Sequence, residues 1–267
     1  MHMIQMLGLV TLLYFVTLAL IAFNRDRINI KIANRIFIAL DIILYVFWMY
    51  GCYLGGARMT LFTLIGNISP LTCVVMAMTP IFSDKVRSHA YCAIAFLNFG
   101  LFVAMLISPE HAYLFNFYEE AKPTYTAEAL CHMICSLYGI YLILTRQVKP
   151  DFDSWIKAIK FLYPIILTGV VFNAIFHQKL FGMDPYGDYS IYMIDIFGSF
   201  TATFIAYLLG VLLVLTLGLQ VGRLLDRLTS HKNESSATSL TAPTNETCSC
   251  EMTQAEKNPP QDENKGD

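Results

Sequence analysis

The sequence contains little charge. Only 14% of its 267 residues are Asp, Glu, Lys or Arg, whereas a soluble domain usually carries about 25%. The charge is also uneven, because residues 223–267 hold 5 of the 18 basic and 8 of the 20 acidic residues. This scarcity excludes a soluble enzyme of ordinary composition, a disordered chain and a basic nucleic-acid-binding protein.

Several motifs of known chemistry are missing as well. The sequence has no Walker phosphate-binding loop, no Gly-x-Ser-x-Gly elbow, no His-Glu-x-x-His and no dinucleotide fingerprint. It also has no Cys-x-x-Cys pair of the kind that indicates a zinc site. We therefore expect neither a metal nor a cofactor.

What the sequence does contain is apolar residues, which make up 56% of the chain and form seven long runs. A helix needs about 20 apolar residues to cross a bilayer. The runs lack the alternation of a membrane barrel, and backbone groups without water must be satisfied within helices. We expect an all-α, polytopic membrane helix bundle with transmembrane helices at 3–23, 36–54, 61–82, 89–107, 127–145, 159–176 and 191–222. The first has no basic residue before it, so we expect a retained span rather than a signal peptide.

Basic residues predict the direction of the spans. Thirteen follow the odd-numbered spans, whereas the other side has only Arg58, Lys122 and Lys179. Because cytoplasmic loops are rich in Lys and Arg, this bias predicts an amino terminus outside and a carboxyl terminus in the cytoplasm. The expected location is the cell membrane or an endomembrane.

The sequence therefore divides into a seven-span domain, residues 1–222, and a cytoplasmic tail, residues 223–267. From Ser230 onward the tail is polar and has almost no apolar content, which predicts disorder. Its two glycosylation patterns, at Asn233 and Asn245, would be chance matches on the cytoplasmic side.

Polar side chains inside the spans are the candidates for function, because their burial in lipid is costly. At about 1.5 Å per residue, four fall in one layer roughly 5–9 Å below the outer boundary. These are Asn67, His132, Asn173 and Asp195. The functional interpretation is an outward-facing pocket in which Asp195 orients the imidazole of His132. The structural interpretation is a set of interhelical hydrogen bonds worth about 0.6 kcal/mol each.

Taken singly, Asn98 and Asn173 favour the structural interpretation. The role of Asp41 is left open, because this residue either serves a function or pairs with Arg35 or Lys31 near the cytoplasmic end. The cysteines within spans are typical small packing residues. Cys131 and Cys135 share a helix face and His132 points about 100° away from Cys131, so span five has no internal Cys–His pair.

Four short segments occur in the order found in a known family. They are Leu-Ile-Ser-Pro-Glu at 106–110, Cys-His-Met at 131–133, Val-Lys-Pro-Asp-Phe-Asp-Ser-Trp at 148–155 and Asp-Tyr-Ser at 188–190. Through them, residues 57–190 resemble the bacterial YwaF-like integral membrane proteins and their animal membrane acyltransferase-like relatives. His132 stands where that family has its intramembrane histidine.

The resemblance implies chemistry between a cysteine of span three and the histidine of span five. By residue identity the cysteine is Cys73, whereas the local run at 64–69 places Gly66 at that position. Cys73 also lies about 10 Å deeper than His132 if both helices are upright, and a base must come within about 3 Å of its nucleophile. Either a kink at Pro70 shifts the register, or the chain lacks the family's nucleophile.

Two functions follow. The first is acyl transfer or hydrolysis on a membrane lipid entering from the outer leaflet. His132 would be the base and Cys73 the nucleophile, with pocket support from Asn67, Asn173 and Asp195. The second is a non-enzymatic receptor, sensor or transporter for a hydrophobic small molecule. The topology and the Ser/Thr-rich tail suit a receptor, although span three does not end with an Arg-containing triad. A transporter should show an internal repeat, and the sequence shows none.

Overall fold

The regular secondary structure of the described residues is helical. The computed structural model describes residues 3–54, 68–107, 122–176, 180–182 and 198–238. Seven α-helices lie in these ranges: α1 Met3–Asn24, α2 Ile30–Leu54, α3 Ile68–Met78, α4 Asp84–Ile107, α5 Lys122–Leu144, α6 Phe152–Phe176 and α7 Phe200–Thr238. Three 3₁₀ turns accompany them, at Arg25–Arg27, Thr79–Ile81 and Leu180–Gly182.

Five stretches of these helices are long and apolar enough to cross a membrane, as an integral membrane protein requires. They are Gly8–Arg27, Ile30–Leu54, Ala127–Leu144, Phe152–Phe176 and Phe200–Thr229. The stretch Ile68–Ile81 is apolar but shorter, and the first residues of the predicted third span lie outside the described ranges. The all-helical class is confirmed for the described residues, and five helices have the length and composition of membrane spans. The predicted number of seven crossings stays a prediction.

The chain forms two units. The first, Met1–Ser230, is compact and contains α1 to α6 and most of α7. The second unit is His231–Asp267, of which the described residues are helical as far as Thr238. The predicted disorder of the tail beyond that residue stays a prediction.

Helix α5 forms the centre of the first unit. Its membrane-length stretch is 83% buried within the protein, whereas the other four are 17–28% buried. It packs against α1, α2, α3 and α4, and α4 also packs against α6. Residues on every side of α5 therefore face other helices, and polar groups on it are enclosed by protein.

Side-chain caps explain where three helices begin. Asn29 Oδ1 accepts hydrogen bonds from the backbone N–H of Lys31 and Ile32 at 3.1 and 3.2 Å, before α2. Asp151 Oδ1 accepts from Ser154 N at 2.9 Å before α6, and Ser199 Oγ from Ala202 N at 3.1 Å before α7. Asn, Asp and Ser at these positions satisfy donors that the first helical turn leaves free.

Contacts between distant residues bring several helix ends together. Arg25 Nη2 at the end of α1 donates to Thr229 O of α7 at 2.9 Å. Asn34 of α2 donates to Gln147 Oε1, just after α5, at 3.0 Å. Arg223 Nε of α7 donates to Pro150 O at 3.3 Å. The ends of α1, α5 and α7 and the starts of α2 and α6 thus lie at the same end of the bundle.

Glycines allow two close helix crossings on α4. A Cβ on Gly139 of α5 would lie 2.9 Å from Ile94 O, and a Cβ on Gly218 of α7 only 2.0 Å from Phe96 O. Small residues permit this approach of backbones, which is typical of helix packing in membranes. These crossings fix α4 between α5 and α7, with Asn98 on the same stretch.

Candidate functional site

The site lies where α2, α3 and α4 meet α5. Its residues follow helical spacing: Ser69 and Cys73 are one turn apart on α3, and His132 and Cys135 are three residues apart on α5. A narrow crevice is lined by Ser69, Thr72, Cys73, Asn98, His132 and Cys135. The side chains pack closely enough to leave no space for a water molecule.

His132 is held at both ring nitrogens. Nδ1 lies 2.8 Å from Glu128 O, one turn earlier on α5, and Nε2 lies 2.9 Å from Ser69 Oγ on α3. A carbonyl oxygen can only accept, so Nδ1 carries the proton. In the neutral ring Nε2 is then the acceptor, and the Ser69 hydroxyl donates to it. This is the tautomer and the distance that a general base needs towards a serine nucleophile.

An aromatic wall covers the imidazole. The ring centroids of Trp48 and His132 are 6.0 Å apart and their planes are inclined by 51°. Trp48 is buried on α2. Trp48 and the two hydrogen bonds together limit the orientation of the imidazole. The Ser69–His132 pair is therefore held in place by residues of α2, α3 and α5.

A second group lies one helical turn further along α3. Cys73 Sγ is 3.7 Å from Cys135 Sγ, and Cys135 Sγ is 3.5 Å from Asp41 Oδ1. Since Ser69 pairs with α5 at residue 132 and Cys73 at residue 135, α3 and α5 run in the same direction. Asp41 lies beside Cys135 and Trp48 beside His132, so α2 runs the opposite way. The site therefore has two levels, Ser69–His132–Trp48 and Cys73–Cys135–Asp41.

The sequence-predicted residues fall in different places. His132 and Cys73 line one crevice, but the ring nitrogens of His132 face Glu128 O and Ser69, while the Cys73 thiol faces Cys135. Their assignment as base and nucleophile stays a prediction. Asn67 and Asp195 lie outside the described residues, so the proposed orientation of His132 by Asp195 stays a prediction too.

Asn173 has a local partner. Its Nδ2 donates to Leu180 O at 2.8 Å, and Leu180 N donates to its Oδ1 at 2.9 Å. These bonds tie the end of α6 to the turn at Leu180–Gly182. The amide therefore joins two neighbouring parts of the chain, which agrees with the structural interpretation of this residue taken singly.

Asp41 and Asn98 proved more informative than their sequence context. Asp41 has no exposed surface, and its described contacts are the thiols of Cys135 and Cys73 rather than Arg35 or Lys31. Asn98 is 1% exposed, and neither its Nδ2 nor its Oδ1 has a hydrogen-bond partner. An amide with free polar atoms beside the Ser69–His132 pair is available to a ligand in the crevice.

Ser69 was missed by the sequence analysis. The signal was present, because Ser69 precedes Cys73 by four residues and therefore shares its helix face. A hydroxyl on an apolar helix is common, however, and nothing local distinguishes it. Its distance to His132 depends on how α3 packs against α5.

Comparisons with known proteins add no family to this description: no family model, no curated protein and no solved structure matches the chain.

Proposed function

We propose that the protein is an integral membrane protein with seven crossings that transfers or hydrolyses an acyl group of a membrane lipid. The amino terminus lies outside and the carboxyl terminus in the cytoplasm. Three features support this topology: the charge bias of the loops, the opposite directions of α2 and α5, and the hydrogen bonds of Arg25 and Arg223 at one end of the bundle.

The observation that carries the reaction is the 2.9 Å contact between Ser69 Oγ and His132 Nε2, with Nδ1 fixed on Glu128 O. An unassisted serine hydroxyl is a weak nucleophile, and an adjacent base activates it. Here the base is neutral, correctly protonated and enclosed by protein. A serine and a histidine in hydrogen-bond contact also serve as nucleophile and base in unrelated serine hydrolases, where a carboxylate takes the place of the Glu128 carbonyl.

The step balances within the site. Ser69 Oγ attacks the ester carbonyl while its proton passes to His132 Nε2. The tetrahedral intermediate then releases the alcohol part of the lipid, which takes that proton, and leaves an acyl group on Ser69. A second alcohol or water, deprotonated by His132, attacks this ester; the bond from the acyl carbon to Ser69 Oγ breaks, and Oγ takes the proton back from His132. The unpartnered amide of Asn98 would donate to the oxyanion.

Because no water-sized space remains in the crevice, its helices must separate to admit an ester. This closure keeps the serine ester from unwanted hydrolysis until an acceptor enters. Cys73 remains the alternative nucleophile, on the same face of α3 and one turn away.

The experiment compares single variants of equal abundance in cells and in detergent. We expect Ser69→Ala and His132→Ala to abolish both the change in cellular lipid profile caused by expression and the labelling of purified protein by a fluorophosphonate probe. Thr72→Val is the matched control, because Thr72 lines the crevice and its hydroxyl donates to Ser69 O of its own helix.

The opposite results are equally informative. Loss of activity in Cys73→Ala with full activity in Ser69→Ala would assign the nucleophile to Cys73. Identical lipid profiles for wild type, Ser69→Ala and His132→Ala, with no probe labelling, would refute the proposed enzymatic function. The non-enzymatic receptor, sensor or transporter would then stand.

A further inference from the structure

A second group of side chains lies beside the Ser69–His132 pair, and the step proposed for Ser69 and His132 does not use it. Three buried side chains from three helices converge, Asp41 of α2, Cys73 of α3 and Cys135 of α5. Their exposed fractions are 0%, 2% and 2%. One ligand atom from each lies within 4.8 Å of the other two.

The carboxylate of Asp41 is incompletely satisfied. Oδ1 accepts a weak hydrogen bond from the Cys135 thiol, and Oδ2 is buried without a hydrogen-bond partner. In the described ranges, the ion pairs involve Arg25, Arg87, Lys149 and Lys157, and none reaches Asp41. A buried carboxylate without a cation is costly, most of all at membrane depth.

Two of the three separations match the edges of a tetrahedral metal site, and the third, between Cys73 Sγ and an Asp41 oxygen, is within 4.8 Å. Zn²⁺ binds thiolate sulfur at about 2.3 Å and carboxylate oxygen at about 2.0–2.2 Å. The tetrahedron edges are then about 3.8 Å between two sulfurs and about 3.5–3.7 Å between sulfur and oxygen. The measured separations are 3.7 Å for Cys73 Sγ to Cys135 Sγ and 3.5 Å for Cys135 Sγ to Asp41 Oδ1.

We propose that Asp41, Cys73 and Cys135 bind one thiophilic divalent cation of the Zn²⁺ type. Thiolates select such ions over Mg²⁺ and Ca²⁺. The bound ion supplies the positive charge beside Asp41 that the described side chains do not provide. Cys131 interacts with Cys73 and shares a face of α5 with Cys135, but it lies outside the group of three ligands.

Binding has a defined proton balance and a structural consequence. Each cysteine that ligates the ion releases its thiol proton, so the affinity rises with pH. The ion joins α2, α3 and α5 at the level next to the Ser69–His132 pair and thereby positions α3. It also removes Cys73 from the role of nucleophile, although the site does not depend on the proposed acyl chemistry.

The first measurement is the metal content of the full-length protein, purified in detergent after growth with added zinc. We expect about one Zn²⁺ per chain. Cys73→Ser, Cys135→Ser and Asp41→Asn should each weaken binding at least about tenfold. Cys92→Ser is the matched control, because Cys92 is an equally buried thiol outside the group. Ser69→Ala should keep the metal, which separates this site from the proposed reaction.

A second measurement requires no variant. Wild-type protein stripped by a chelator and titrated with Co²⁺ should develop thiolate-to-cobalt charge-transfer absorption and visible bands of tetrahedral geometry, and Zn²⁺ should abolish both. Three results would overturn the proposal: wild type that takes up neither ion, ligand variants that bind as tightly as the Cys92 control, or a Cys73–Cys135 disulfide in the protein purified without oxidant.

Discussion

The side-chain amide of Asn173 forms two hydrogen bonds with the backbone of Leu180. Its Nδ2 donates to the Leu180 carbonyl, and the Leu180 N–H donates to its Oδ1. Both residues are buried. The turn fixed in this way contains Phe181, whose ring lies where a side chain on Gly169 of α6 would go. One amide thus secures the end of α6 and the packing of the turn against it.

Asn173→Leu should therefore destabilise the protein. The substitution keeps the volume but leaves the buried N–H and C=O of Leu180 without partners, at a cost of about 1–3 kcal/mol for each group. Denaturant unfolding in detergent measures the change. Ile175→Ala, at an exposed position of the same helix, should have little effect. Equal unfolding midpoints for Asn173→Leu and wild type would contradict this role.

Gly218 provides a second stability prediction. Because a Cβ there would meet Phe96 O at 2.0 Å, Gly218→Ala must push α7 away from α4. We expect a loss of about 1–3 kcal/mol, as for other overpacked sites. Gly210→Ala on the same helix is the control, since nothing lies within 4 Å of its added Cβ. Thermal unfolding should rank Gly210→Ala at or slightly above wild type and Gly218→Ala below it, and the reverse order would refute the close crossing.

Much of this fold could be predicted from the sequence, because the constraint is local. A long apolar run must be helical in lipid, and such runs correspond to α1, α2, α5, α6 and α7. Boundaries were less predictable. The predicted third span included residues up to 82, whereas α3 ends at Met78 and a 3₁₀ turn at Thr79–Ile81 contains Pro80. Proline lacks the N–H that would continue the helix.

The site was predictable only as a set of unusual residues. His132 was selected because an ionisable group in a span is rare, and the structure gives it two hydrogen bonds. Its partner Ser69, and the convergence of Asp41 with two cysteines, depend on the rotation and depth of three helices against α5. Apolar spacing does not specify those quantities to within the roughly 3 Å that a hydrogen bond requires.

The topology has a direct test in the tail. Asn233-Glu-Ser and Asn245-Glu-Thr are acceptor patterns for N-glycosylation, which occurs on the side opposite the cytoplasm. With the carboxyl terminus in the cytoplasm, treatment with a glycosidase should leave the electrophoretic mobility of the protein from eukaryotic cells unchanged. Tyr118→Thr creates an acceptor at Asn116 in a predicted outer loop and should add a glycan there. Glycosylation at Asn233 or Asn245 would contradict the proposed orientation, because it would place the carboxyl terminus outside the cytoplasm.

Asp151 precedes α6, lies outside the predicted spans and caps the first turn of the helix. Its Oδ1 accepts from Ser154 N at the third helical position, and Asp→Ala substitutions at such caps cost about 1 kcal/mol. We expect that loss for Asp151→Ala in denaturant unfolding at neutral pH. Asp151→Asn should retain most of the stability, because Asn caps helices about as well as Asp. Equal losses in both variants would show that the contribution is the charge and not the cap.

The same residue predicts a pH dependence. The hydrogen bond from Ser154 N lowers the pKa of the Asp151 carboxyl from its ordinary value. A carboxyl whose pKa is lower in the folded state than in the unfolded state contributes stability above the unfolded pKa, about 3.9, and loses it as the pH falls through the folded value. The stability of wild type relative to Asp151→Asn should therefore be constant near neutral pH and decrease below about pH 4. Unfolding midpoints of the two proteins across this range measure the difference, and parallel curves down to about pH 2 would refute the carboxylate cap.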